Sequence, residues 1–118
     1  MSSRVIVALA LSVVTLAAAE VPLDLVLAHP QKYDRRRVSV SGFARVDGES
    51  FVLYRDAASA KRLDKRALSV GQRRGKPLHD QLNNHWVVAT GVIDANAHGL
   101  WGFPCELLLD EAHTVRHQ

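Results

Sequence analysis

Histidine and cysteine are the side chains of this chain that could bind a transition metal. The sequence has six histidines and one cysteine, but their spacing does not form a ligand motif. The closest pair lies four residues apart, on a predicted strand and tail rather than on one face of a helix. We therefore expect no metal and no cofactor, a copper site that includes Cys105 being the alternative. Solvated or turn-capping roles are expected for His29, His79, His85, His98, His113 and His117.

Nucleophilic and acid–base catalysis find little support in the sequence. A serine hydrolase holds its nucleophile in a strained turn, and the chain has no GxSxG motif. Cys105 follows Pro104 at the start of a predicted strand, away from any helix N-terminus that would activate a thiol. Paired carboxylates could support hydrolysis, but one small domain leaves little room for a deep cleft around them. The sequence predicts a protein that is not an enzyme, although it contains Asp94, Glu106, Asp110 and Glu111.

The charge pattern favours binding of an anionic ligand. Ten of the 14 basic side chains in residues 20–118 fall in two segments, Arg35–Arg37 and Lys61–Lys76. An aromatic ring beside such segments could stack on a sugar or base between the cations. In the alternative, the ring covers the outer wall of the sheet and the basic run is solvated. The candidate ligand-binding residues are Tyr54, Arg55, Arg62, Arg66, Arg73 and Arg74.

A second binding hypothesis uses the turn-rich loop from Ala95 to Gly102. Trp101 combines a large apolar area with one hydrogen-bond donor, which is typical of an energetic anchor in a protein interface. The loop would then recognise a protein partner, as an inhibitor or immunity-type protein does. In the alternative, Trp101 closes one end of the fold.

The first 19 residues have the layout of a cleaved signal peptide. A short basic start ends at Arg4, an apolar run begins at Val5, and Ala17 to Ala19 offer the small residues that signal peptidase accepts before Glu20. The alternative is a membrane anchor, but the apolar run has 15 residues, fewer than the roughly 20 that span a bilayer. We expect residues 20–118 to be one periplasmic or secreted domain with no transmembrane segment.

Removal of the signal peptide changes the charge balance and the setting of the cysteine. Residues 20–118 carry a net charge of +2 with histidine neutral, distributed as +6 in residues 20–76 and −4 in residues 77–118. Aromatic residues make up 6% of the chain, a small share for a protein that binds single-stranded nucleic acid. Cys105 would enter an oxidising compartment with no partner in the chain, so we expect a buried thiol, an intermolecular disulfide being the alternative.

The periodicity of the remaining chain predicts mainly strands. Apolar residues recur at helical spacing from Val21 to Ala28, and strict alternation over the next apolar segment indicates a half-buried strand. Asp47-Gly48 is a hairpin signal. A bulge is expected near Glu111, where alternation fails. The predicted strands cover Val38 to Val46, Ser50 to Arg55, Ala67 to Val70, Trp86 to Asp94 and Glu106 to Val115, with a short helix from Pro77 to Asn83.

An internal similarity favours one topology. Gly42 and Gly91 each follow a run of valines and small residues inside a predicted strand, where glycine is costly unless the strand bends sharply. Such bending is expected where the first and fourth strands of a small Greek-key barrel pair. We therefore predict a mainly β, five-stranded OB-like barrel with a short N-terminal helix and a short helix before the fourth strand. A small β-sandwich and a split β-sheet with helices are the alternatives.

The chain also resembles small exported bacterial proteins with an OB-like barrel, a family of uncharacterised function. The resemblance covers most of residues 20–118, departs at Pro104-Cys105 and implies no catalytic residue. We expect an exported monomeric binding module that engages an anionic ligand or an envelope component, or, as the alternative, a protein partner. The resemblance is carried by His29 to Asp34, Val38 to Phe43, Leu53-Tyr54, Leu82 to Asn84, Val87 to Gly91 and His98 to Gly102.

Overall fold

The computed structural model describes residues 18–48, 50–72 and 80–116. Within these residues the fold is mainly β, with six strands in one sheet and two short α-helices. Residues 1–17 of the predicted signal peptide (1–19) lie outside the described residues, as do Arg73 and Arg74. In chain order the elements are β1 (Ala19–Glu20), α1 (Leu23–Ala28), a 3-10 turn (Pro30–Tyr33), β2 (Arg37–Asp47), β3 (Ser50–Tyr54), α2 (Ala57–Lys61), β4 (Leu68–Gly71), a 3-10 turn (Asp80–Leu82), β5 (His85–Asp94) and β6 (Glu106–Thr114).

The strand pairings form a ring. They run from β2 through β3, β4, β6 and β5, and β5 returns to β2. The β4–β6 pair is parallel and the other pairs of the ring are antiparallel. The predicted hairpin and the predicted pairing of the first and fourth long strands are both confirmed. Strand β1 lies beside this ring, in parallel register with Val38 and Ser39 of β2.

The alternation of side chains along the strands determines which of them face the core. In β2 every second residue is buried, because the pleat of a strand sends successive side chains to opposite faces. Strand β3 is buried on both faces: Phe51 and Leu53 join the main core, whereas Val52 and Tyr54 join a second cluster. The main core also receives α1. The second cluster is smaller and consists of Val52, Tyr54, Ala60, Ala67 and Phe103, with Phe43 packed against it.

Two predicted helices differ from expectation within the described residues. Helix α1 begins at Leu23 rather than Val21, because the Val21 backbone N–H donates to the Ser39 carbonyl and continues the pairing of β1. Before β5 the structure has a 3-10 turn, Asp80–Leu82, where the sequence predicts a helix from Pro77 to Asn83, and residues 77–79 lie outside the described part. No helix among the described residues has the length and apolarity needed to cross a membrane.

The pairing of β5 with β6 contains a bulge. Thr90 lies opposite Glu111 and Gly91 lies opposite Leu109, so Asp110 is the extra residue of β6. The predicted bulge near Glu111 is confirmed. Gly91 sits where the β6 backbone comes closest, and a Cβ at this position would overlap the Leu108 carbonyl oxygen. The second in-strand glycine, Gly42, lies under β3 in the same way, since a Cβ there would stand 2.9 Å from the Tyr54 carbonyl oxygen.

Cys105 is a buried, free thiol. Burial raises the pKa of the Cys105 thiol to about 11, and the nearby Asp94 carboxylate adds to the rise. The side chain, one residue before β6, is part of the main core.

We expect Cys105 to resist modification in the folded protein. With a pKa of about 11, roughly one thiol in a thousand is ionised at pH 8, and the thiolate is the reactive form. Ellman's reagent at pH 8 should therefore leave the native protein unlabelled and should label one thiol per chain in guanidinium chloride. Rapid stoichiometric labelling without denaturant would show that the buried position is wrong.

Candidate functional site

The described surface has a groove of about 400 Å³ on the face of β2 and β3 that looks away from the main core. We call it the Trp101 groove. Its floor is apolar and its rim carries charges of both signs. It is lined by Arg45, Asp47, Ser50, Val52, Tyr54, Leu63, Lys65, Trp101 and Phe103.

The β2–β3 hairpin supplies the floor and one edge of the groove. Arg45 pairs with Val52 and Asp47 pairs with Ser50 in the antiparallel register. Paired residues of neighbouring strands point to the same face, and so do residues two apart on one strand. The alternation of β3 therefore places Ser50, Val52 and Tyr54 in one row beside Arg45 and Asp47.

The loop between β5 and β6 forms the opposite wall. It is closed on itself by two contacts: the Phe103 N–H donates to the His98 carbonyl at 2.8 Å, and the His98 Nδ1 lies 2.9 Å from the Phe103 carbonyl oxygen. Gly99 and Gly102 have positive φ values of 64° and 74°, which glycine adopts without strain. This turn buries Phe103 and leaves Trp101 60% exposed above the groove. The expected role of His98, a contact within its own turn, is confirmed.

Lys65 ties this loop to the segment after α2. Its Nζ donates to the Trp101 carbonyl oxygen at 2.8 Å. The same ammonium lies 5.9 Å from the centre of the Trp101 ring and 5.8 Å from that of Phe103. A cation over aromatic rings is attracted to their faces. One side chain therefore fixes the position of both rings.

Leu63 completes the apolar rim under backbone strain. It follows the last turn of α2 with a φ of 55°, at the position where helices usually place glycine. A left-handed conformation costs a residue with a Cβ about 1 kcal/mol. The side chain is nevertheless 69% exposed at the edge of the groove, so it gains little from burial.

Three described arginines of the predicted basic site are paired with carboxylates. Arg55 lies 3.2 Å from the Asp64 carboxylate and 4.0 Å from that of Asp24. Arg62 lies 3.8 Å from Asp64, and Arg66 lies 3.9 Å from Asp24. The Arg66 backbone N–H, together with Arg55 and Arg62, holds the pKa of Asp64 below its ordinary value. Three of the six predicted residues thus form an ion-pair network that connects α1 to the segment after α2.

The anionic-ligand hypothesis needs an exposed Tyr54 ring, but the structure buries this ring. Its side chain is 5% exposed and packs in the second cluster, so it is floor rather than an open stacking surface. Burial raises the pKa of its hydroxyl, the Arg45 charge opposes that rise and Asp64 adds to it. Phe43, the other aromatic of this face, packs edge-on against Trp86 with ring centres 6.1 Å apart.

The structure joins residues that the sequence divided between two hypotheses. Tyr54 and Trp101 line one groove, although one was assigned to a ligand site and the other to a partner loop. Seven lining residues were not among the candidate site residues. Lys65 had a usable signal as part of the basic segment Lys61–Lys76, and Phe103 lies two residues from Trp101, whereas Leu63 had no signal. The seven are Arg45, Asp47, Ser50, Val52, Leu63, Lys65 and Phe103.

A metal site would need a cluster of suitable ligands. Within residues 18–48, 50–72 and 80–116, no group of three or more His, Cys, Asp or Glu side chains is placed to hold a metal ion. His79 and His117 lie outside these ranges.

Comparison with known protein families returned no match, and none was found among curated proteins. Among solved structures, the chain is similar to a DUF3299 family protein from Pseudomonas aeruginosa PAO1, with a TM-score of 0.59 and 10% identity over 87% of this chain and 99% of that one. It is also similar to a protein assigned as an aspartyl-tRNA synthetase from Leishmania major Friedlin, with a TM-score of 0.54 and 13% identity over 91% of this chain and 22% of that one. At these identities the likeness shows a shared fold, and it agrees with the expected resemblance to bacterial proteins only at that level.

Proposed function

We propose that this protein is an exported, non-enzymatic binding module with an OB-like barrel, and that its Trp101 groove receives a side chain of a protein partner. The proposed barrel consists of β2 to β6, whose ring closes between its first and fourth strands. OB-folds bind ligands on the face of their second and third strands, between the loop after the first strand and the loop before the fifth. Here those parts are β3, the 47–50 turn and the loop that carries Trp101.

One observation carries the proposal: an exposed tryptophan stands over an apolar groove with a charged rim. Energetic hot spots of protein interfaces are rich in Trp, Tyr and Arg and sit in pockets from which water is excluded on binding. Trp101, Tyr54 and Arg45 line this groove together. Leu100, 84% exposed beside Trp101, and Leu63 extend the apolar area around it. Exposed apolar area gathered in one place favours a partner over a solvated loop.

The ion pairs favour the protein-partner hypothesis over binding by the basic segment. Arg55, Arg62 and Arg66 each face Asp24 or Asp64, and an anionic ligand would have to compete with those carboxylates. The charge that the sequence displays in this segment is therefore partly neutralised in the folded chain. Among the residues that the structure describes, no ion pair involves a residue of the Trp101 groove lining, so none opposes insertion of an apolar group under Trp101.

Site-specific photo-crosslinking tests the proposal in cells. We expect Leu100→p-benzoylphenylalanine, placed beside Trp101, to yield a discrete adduct with one envelope protein. The matched control is Leu108→p-benzoylphenylalanine, because Leu108 is also an exposed leucine but lies on β6 outside the groove lining. The adduct should be absent from the control and should disappear when Trp101→Ala is added. The same adduct from both positions, or one that survives Trp101→Ala, would contradict the proposal.

A further inference from the structure

We infer that the partner segment entering the Trp101 groove is acidic: one aromatic or large aliphatic anchor flanked by Asp or Glu. This inference rests on the proposed function and adds the chemistry of the partner. It is carried by the charges around the groove rim and by the size of the groove.

Two cations of the rim have no carboxylate partner among the described residues. The Lys65 ammonium has three N–H donors. One donates to the Trp101 carbonyl oxygen, and two remain for other acceptors. Arg45 is exposed on β2, and no described carboxylate lies within 4.0 Å of its guanidinium. Both side chains line the groove.

Most described arginines outside the groove are paired. Five of the seven lie within 4.0 Å of a carboxylate, and Arg36 and Arg116 have no such partner among the described residues. The two rim cations differ from Arg36 and Arg116 in that both line one apolar groove. The five paired arginines are Arg35, Arg37, Arg55, Arg62 and Arg66.

One carboxylate, Asp47, is also part of the described lining. It lies at the hairpin end, farther than ion-pair distance from both rim cations. The described lining therefore has two positive charges and one negative charge. The effect of Arg45 reaches into the floor, because its charge lowers the pKa of Tyr54 against the larger rise caused by burial. The side of the groove between Arg45 and Lys65 is thus complementary to an anion.

The volume limits what can enter. A groove of about 400 Å³ is at the small end of ligand sites. It has room for one ring or one branched aliphatic side chain, not for the apolar face of a helix. Carboxylates on the residues next to that anchor would reach the rim, where ion pairs with Lys65 and Arg45 would be partly shielded from water.

A set of four acetylated, amidated pentapeptides separates charge from the apolar anchor. The probes are Gly-Glu-Trp-Glu-Gly, Gly-Gln-Trp-Gln-Gly, Gly-Lys-Trp-Lys-Gly and Gly-Glu-Ala-Glu-Gly, titrated into the ¹⁵N-labelled protein by NMR. We expect the acidic Trp peptide to shift the groove signals and to bind about tenfold more tightly than the Gln peptide, as one charge-assisted hydrogen bond would provide. The Lys peptide should bind most weakly, and the Ala peptide should bind less tightly than its Trp counterpart.

Variants of the protein locate the charge effect. Lys65→Met keeps the aliphatic stem and should reduce the preference for Glu over Gln peptides, with the remainder due to Arg45. Arg66→Gln, which removes a cation outside the groove, should keep that preference. Equal binding of the Glu and Gln peptides to the unaltered protein would overturn this inference and leave the proposed function standing. No shift of Trp101 or Phe103 signals with any Trp peptide at millimolar concentration would overturn both.

Discussion

Replacing Gly91 by alanine is expected to destabilise the fold by about 3 kcal/mol, the upper range of what an overpacked interior costs. The added Cβ would overlap the Leu108 carbonyl oxygen and would stand 2.8 Å from Leu107 Cδ2. Both belong to β6, which is held to β5 by eight residue pairs and to β4 on its other side. Backbone fixed on two sides cannot move away, so the clash has to be relieved by breaking the bulge.

Urea unfolding of Gly91→Ala measures this cost. Gly48→Ala is the matched control, because a Cβ at Gly48 meets nothing within 4 Å and is opposed only by a φ of 57°. That control should lose about 1 kcal/mol. The slope of unfolding free energy against urea should stay the same for both variants, as expected when only the native state changes. If Gly91→Ala unfolds at the same urea concentration as Gly48→Ala, the close approach of β5 and β6 is wrong.

Strand positions and their pairing could be predicted from local sequence, because the pleat imposes a period of two that apolar residues follow. Val38 and Val40 alternate with serines, and the structure buries the valines. The in-strand glycine Gly91 predicted a sharp bend of its strand, and the structure places the β5–β6 bulge there. Strand β3 gave a weaker signal: Phe51 and Tyr54 are both buried, on opposite faces, so alternation alone could not say which face carried a site.

The groove and the ion pairs could not be predicted because they depend on residues distant in the chain. Arg66 pairs with Asp24, and a count of charges along the sequence shows the arginine without its partner. The contact of Lys65 with the Trp101 carbonyl joins residues 36 apart in the sequence, so no periodic pattern predicts it. Leu63 is exposed at a position with a positive φ, and nothing in the sequence predicts a positive φ for a leucine. The basic run resembles a binding face in the sequence, because the sequence does not show that Asp24 and Asp64 pair with its arginines.

The central claim is that Trp101, rather than the basic segment, carries the binding energy. Truncating a tryptophan at the centre of an interface commonly costs 2 kcal/mol or more, which is about a thirtyfold loss of affinity. Trp101 is 60% exposed and contacts Lys65 through its backbone carbonyl, so Trp101→Ala keeps that hydrogen bond and removes the ring. The variant should therefore fold normally and bind weakly.

Calorimetric titration with the partner captured at position 100 tests this claim most directly. We expect Trp101→Ala to weaken binding about thirtyfold, with Leu108→Ala and the double variant Arg62→Ala, Arg66→Ala within about twofold of the unaltered protein. Unfolding curves for each variant check that the fold is intact. Unchanged affinity for Trp101→Ala, together with a salt-sensitive loss for the double arginine variant, would contradict the account and return the binding site to the basic segment.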